Sequence, residues 1–258
     1  PTGKFLYVAN SGTTTISQYS INQITGALTQ ITTPVSAITN PQSIAVDPTG
    51  QFVYVTNYYD NTVSQYSINQ STGQLTQITA DIGAGNQPFG VAVDPTGQYV
   101  YVTNDYIEPD GAISQYSINQ ITGALTHITA DINGLNNPRG IAVDPNGQFV
   151  YVVNSNYSTV LLYLIDPGTG ALTEIVPATD TGNQPVNVVV STNGFVYVTN
   201  GGSDSVSQYQ INSTYVTFDT APDNGAVIVV EHGSSHPLFQ KRILEEESQM
   251  WGAPMPVI

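Results

Sequence analysis

Short apolar runs separated by turn residues recur along most of this chain, and their order repeats. Phe5-Leu6-Tyr7-Val8-Ala9-Asn10 returns as Phe52 to Asn57, Tyr99 to Asn104, Phe149 to Asn154 and Phe195 to Asn200. A Pro-(Thr/Asn)-Gly or similar turn precedes each run. Its glycines, Gly3, Gly50, Gly97, Gly147 and Gly194, lie 47, 47, 50 and 47 residues apart. A second run follows and ends near a tyrosine (Tyr19, Tyr66, Tyr116, Tyr163, Tyr209). A third reads Thr-Gly-Ala-Leu-Thr-Gln-Ile-Thr at 25 to 32, and a fourth begins at Pro41, Pro88, Pro138 and Pro185. Val, Ile, Tyr and Thr fill these runs and Gly, Pro, Asn and Asp punctuate them, which predicts four short strands per unit.

Four-stranded antiparallel units repeated at this length predict a β-propeller. Ser43 to Val46 and Phe52 to Val55 are the most apolar runs and should lie nearest the central axis, whereas Thr62 to Tyr66 and Leu75 to Thr79 mix in polar residues. Units starting near 1, 48, 95, 145 and 192 suggest five blades in a domain spanning 1–230. The first unit lacks its inner strand. The apolar segment Ala226-Val227-Ile228-Val229-Val230 is the expected closing strand, hiding both edges of the ring.

Past residue 230 the pattern stops, and 231–258 reads as a divergent tail. Ser235-His236-Pro237 can open a helix, with Phe239, Ile243, Leu244, Met250 and Trp251 on one face. That face is a candidate subunit contact.

The Tyr-Val-Thr-Asn run at Tyr54 to Asn57, Tyr101 to Asn104 and Tyr197 to Asn200, with variants at Tyr7 and Tyr151, resembles the YVTN family of β-propeller repeats. The resemblance implies bacterial or archaeal surface and secreted proteins, including surface-layer proteins, and a relation to lactonase-type propellers. Those relatives usually have seven blades.

Charge narrows the partners. The chain has 19 acidic and 4 basic residues, a formal net charge of -15, yet only 9% of its residues are charged. Such a surface repels phosphate backbones, so nucleic-acid binding is not expected, nor is membrane insertion. A polar, weakly charged coat suggests an extracellular or cell-surface setting. The chain opens mid-repeat at Pro1-Thr2-Gly3, so a removed leader or a longer parent is expected. There are no cysteines, and His232 and His236 are followed by Pro237, so no metal site and no cofactor are expected.

Residues that break the repeat are the candidates for function. After the proline that opens each inner strand stand Gln42, Phe89, Arg139 and Val186, expected beside the channel mouth. The third unit carries an insertion at 105 to 111, where Asp105, Glu108 and Asp110 could bind a ligand. Arg139 is the only arginine of the body. It could pair with a carboxylate or contact an anion. Asn10, Asn57, Asn104, Asn154 and Asn200 read as turn formers, and Asp47, Asp94 and Asp144 as turn initiators. His127 reads as an exposed variant on an outer strand.

No nucleophile elbow, phosphate loop or metal-spaced histidine pair occurs in the body, and the axis-lining stretches from Ser43, Gly90, Gly140 and Asn187 carry no charge. These residues lead to a non-enzymatic structural or adhesive module with a protein partner or self-assembly. A glycan- or peptide-binding propeller is the alternative, and a lactonase-like hydrolase a further one.

Overall fold

The computed structural model describes residues 3–31, 34–36, 39–106, 111–175 and 178–211, together with strands Thr217–Asp219, Val227–Val229 and Phe239–Ile243. These residues are all-β, with no helix among them. Five antiparallel sheets follow the five sequence units, and the fold is a β-propeller.

The second blade shows the plan. Its inner strand Pro41–Val46 pairs with Phe52–Asn57, which pairs with Thr62–Ile68, which pairs with the three-residue outer strand Leu75–Gln77. A short return piece, Ile82–Gly83, covers the rest of the third strand's edge and leads to the next blade. The third and fourth blades repeat this order. The second strands Phe52–Asn57 and Tyr99–Asn104 are buried at every position, while the inner strands remain half-buried beside the axis.

In the second, third and fourth blades the turn between the inner and second strands is built by an aspartate, and in the fifth Ser191 takes its place. In the third blade Asp94 Oδ1 accepts the backbone N–H groups of Gln98 and Tyr99 at 2.8 and 2.7 Å, and Oδ2 accepts that of Thr96 at 2.9 Å. Asp47 and Asp144 do the same. A carboxylate accepting several backbone N–H groups closes the turn without leaving buried donors unmet.

The blades meet across apolar cores, each drawn from two neighbours. Phe52, Tyr54 and Val63 of the second pack with Val100, Val102 and Tyr116 of the third, and equivalent cores join first to second, third to fourth and fourth to fifth. Polar latches cross the same seams. The hydroxyls of Tyr7, Tyr54 and Tyr101 donate to the carbonyls of Gly73, Gly123 and Gly170 at 2.7, 2.8 and 2.8 Å. The N–H groups of Leu75, Leu125 and Leu172 donate to Oε1 of Gln18, Gln65 and Gln115. Burial raises the tyrosine hydroxyls above their ordinary range, Tyr7 to about 12, so they stay neutral donors. Gly123 is required at its latch: its φ is +76°, and an added Cβ would meet the Phe52 ring at 2.3 Å. The fourth blade breaks the glutamine pattern, because Leu162 stands where its neighbours have glutamine, but its seam with the fifth still carries a polar bond, from the Tyr209 hydroxyl to the Asp180 carbonyl at 2.7 Å.

Among the described residues there are four such cores and none between fifth and first. Leu6 and Val8 of the first blade are each 38% exposed, whereas their counterparts Val53 and Val55 are 0% exposed. Val206 of the fifth blade is likewise exposed where Val63 is buried.

Two expectations about the C-terminal segment are corrected. Val227–Val229 does not close the first blade; it pairs with Thr217–Asp219 in a separate two-stranded ribbon, a pairing that needs only a local loop. Phe239–Ile243 is a strand, not part of a helix, and pairs with Ser205–Ile211 as the outer strand of the fifth blade. The fifth blade lacks the Thr-Gly-Ala-Leu segment that fills this place elsewhere, and an open edge of backbone N–H and C=O groups recruits an extended segment. Leu244, Met250 and Trp251 lie outside the described residues.

Candidate functional site at the channel mouth

The end of the blades opposite the aspartate turns is where the repeats diverge. Each inner strand starts at a proline, and its register with the second strand shifts over the next residues, as between Pro88 and Val91 and between Pro138 and Ile141. Such bulges re-aim the residue they contain. The preceding residues Asn40, Gln87, Asn137 and Gln184 have φ between +48° and +62°, a strained setting for a non-glycine residue. Their carbonyls accept the N–H groups of Tyr58, Asp105, Ser155 and Gly201 across the sheet, which holds them there.

The threonine of the repeated run positions the residue after the proline. Thr56 Oγ1 donates to the Phe89 carbonyl of the next blade at 2.8 Å, and Thr103 Oγ1 donates to the Arg139 carbonyl. Inner strands approach closely here. A Cβ on Gly140 would lie 2.5 Å from Asn187 Cα, so glycine follows Arg139 for lack of space.

The site assembles around Arg139. Its Nε lies 3.4 Å from Asp105 Oδ2, and its guanidinium carbon stands 5.6 Å from the Phe89 ring centre, a cation–π arrangement. Asp105 is 4% exposed and Arg139 33%. Asn137 Nδ2 donates to Asp105 Oδ1, so both carboxylate oxygens are engaged. Burial pushes the Asp105 carboxyl above its ordinary value, while Arg139 pulls it down. The 3.4 Å contact is longer than an aligned charge-assisted hydrogen bond. The pair therefore anchors the guanidinium, and the Arg139 side chain remains one-third exposed.

Tyr58 completes the wall. Its hydroxyl donates to Gln87 Oε1 at 2.7 Å, and its ring meets that of Tyr59 edge-on at 5.3 Å between centres. Burial raises its hydroxyl, with Asp105 adding to the shift and Arg139 opposing it, which places it within the electrostatic reach of the pair.

Of the sequence candidates, Phe89, Asp105 and Arg139 come together. Gln42 bonds Asn40 on the flanking blade, and Val186 lines a shallow surface pocket of the fifth blade with Thr199, Gly201 and Val206. Glu108 and Asp110 lie outside the described residues. The stretches from Ser43, Gly90, Gly140 and Asn187 carry no charge, and Arg139 stands immediately before Gly140, within the inner strand Pro138–Val143 of the fourth blade. Tyr58, Gln87 and Asn137 were not expected. The signal for Tyr58 was available, because the residue after each repeated asparagine varies as Ser11, Tyr58, Asp105, Ser155 and Gly201. Those asparagines themselves bond their own hairpin, Asn57 Nδ2 donating to Ser64 Oγ at 2.8 Å, but the left-handed residue of that hairpin is Asn61. His127 is exposed against Tyr116 on an outer strand, away from the mouth. Among the described residues no cluster of His, Asp or Glu could hold a metal, and no helix could cross a membrane.

The fold and the mouth define a β-propeller with, among the described residues, one ion pair, its carboxylate buried and its arginine at the start of an inner strand. Its sequence matches the model of the family described as lactonase, 7-bladed beta-propeller, over residues 1–89 and 83–190. The chain belongs to that family. A candidate 6-phosphogluconolactonase from Bacteroides uniformis is similar in structure, with TM-score 0.64 and 20% identity over 72% of this chain and 54% of that one. One from Bacteroides fragilis has TM-score 0.61 and 22% identity over the same shares. The periplasmic gluconolactonase of Pseudomonas aeruginosa has TM-score 0.52 and 15% identity over 81% and 79%. The chain thus spans about half the length of the two Bacteroides proteins. No curated protein matches it. The family match overturns the expectation of a non-enzymatic structural or adhesive module.

Proposed function

We propose that the chain carries the carbonyl-activating site of a lactone hydrolase. The observation that supports this is Arg139, held at the channel mouth by a buried carboxylate and an aromatic face with its side chain one-third exposed. Family membership and the names of the similar structures point to the same reaction class.

Lactone hydrolysis needs no cofactor. Water adds to the carbonyl carbon, the ring C–O bond breaks, the ring oxygen takes a proton, and a hydroxy acid leaves. The charge that develops on the carbonyl oxygen is the target for a fixed cation in a partly dry site, an effect that commonly supplies a factor of roughly 10²–10³. Arg139 is the residue placed to do this. Asp105 acts as a positioning residue, since both its oxygens are engaged. Within the family, the Tyr54–Asn57 type of run groups these blades with the YVTN repeats.

Proton release from D-glucono-1,5-lactone near neutral pH tests the reading. The purified chain should exceed the spontaneous rate in proportion to its concentration. A rate equal to the spontaneous one with every lactone tried would sink it.

A further inference from the structure

Charge and shape at the mouth say what kind of lactone fits, an inference that rests on the lactonase reading and extends it. The mouth offers little to a phosphate. Arg139 is its one cation among the described residues, and Asp105 already neutralises it at 3.4 Å. Lys4 sits at the far end of its strand, beside the turns opposite the mouth, and Lys241 and Arg242 belong to the outer strand of the fifth blade. Asp60, held by Thr39, and Asp204 add negative charge to the loops of the same face, on a chain whose formal net charge is -15. A dianion approaching this face meets a net repulsive field.

The same face is rich in flat apolar surface. Phe89 lies against the guanidinium, Tyr58 and Tyr59 stand on the second blade, and Tyr106 and Tyr157 are exposed on the matching loops of the third and fourth. Gln42, Gln87 and Asn137 supply neutral polar groups between them. Mostly apolar walls with a few placed polar groups suit an uncharged ring.

We propose that the mouth binds an uncharged lactone with its ring against Phe89 and Tyr58, and discriminates against the phosphorylated form. The carboxylate of Asp105 makes the distinction, because it cancels the one charge a phosphate could use. Exchanging it for an amide should convert the mouth toward anions.

The test compares calorimetric binding of D-gluconolactam, a lactone mimic that does not hydrolyse, with binding of its 6-phosphate. The uncharged lactam should bind at least about tenfold more tightly, a difference of about 1.4 kcal/mol. Phe89→Ala and Tyr58→Ala should each weaken it severalfold. Asp105→Asn should strengthen the 6-phosphate by about tenfold and so narrow or reverse the preference for the uncharged lactam. Equal or tighter binding of the 6-phosphate to the unmodified chain, no binding of either lactam, or an Asp105→Asn protein that folds normally and gains nothing for the phosphate would each overturn the proposal. Selective lactam binding without turnover of the lactone would support this selectivity while removing the hydrolase reading.

Discussion

The two ends of the blades are built from the same repeats and have diverged differently. At one end Asp47, Asp94 and Asp144 make the same turn with the same hydrogen bonds. At the other, the positions after the proline and after the asparagine carry a different residue in almost every blade, and there Arg139, Asp105, Phe89 and Tyr58 converge. Backbone support continues to the second end, through left-handed residues and threonine hydroxyls, so its side chains vary on a fixed frame. Repetition thus marks what holds the propeller, and its loss marks what the propeller presents.

Separating the two ends by substitution is the strongest way to break this comparison. Arg139→Ala should lower kcat/KM for a lactone by about 10²–10³; because it strands the buried Asp105 carboxylate, the double variant Arg139→Ala with Asp105→Asn should bring the unfolding midpoint back without restoring activity. A double variant no more stable than the single one would show that the mouth is structural as well.

Asp94→Ala should do the reverse. It strips partners from three backbone N–H groups at a nearly buried turn, and urea unfolding should report a loss of about 2–3 kcal/mol with kcat/KM held. Lost activity in protein that remains folded would show the ends to be coupled.

Thr103→Val sharpens the boundary. It copies the valine that the fourth blade has at Val153, keeps the volume and removes the hydroxyl that holds the Arg139 carbonyl. Activity should fall severalfold while stability changes by about 1 kcal/mol.

Acidity gives the smallest effect. The Asp105 carboxyl titrates above its ordinary 3.8 in the folded protein, so the folded state holds that proton more tightly than the unfolded chain does. Its contribution to stability is therefore greatest at low pH and declines as pH rises from about 4 through the folded value. Asp105→Asn should flatten this part of the stability profile, and a profile unchanged by the substitution would count against the burial that causes the shift.

The sequence displays the repeated parts well, because they are local. Strand order follows from apolar runs, and Asp-Pro-x-Gly announces its own turn. What lies across a seam is harder to see. Asp105 and Arg139 are in different blades, and only the bulge at Pro138 and the fixed carbonyls on either side bring them together. The insertion offered Asp105 as a ligand contact, whereas burial beside Arg139 makes it half of an ion pair. The pairing of Phe239–Ile243 is equally non-local, decided by an empty edge at Ser205–Ile211 rather than by the segment's own periodicity.

The tyrosine latches run one way along the chain. Tyr7, Tyr54 and Tyr101 each reach a carbonyl 66, 69 and 69 residues further on. A blade emerging from the ribosome must therefore wait for the outer hairpin of its successor before its tyrosine is satisfied. At about 5–20 residues per second that delay is on the order of several seconds. During synthesis the newest blade is always unfinished, and maturation travels from the N-terminus one blade behind the ribosome.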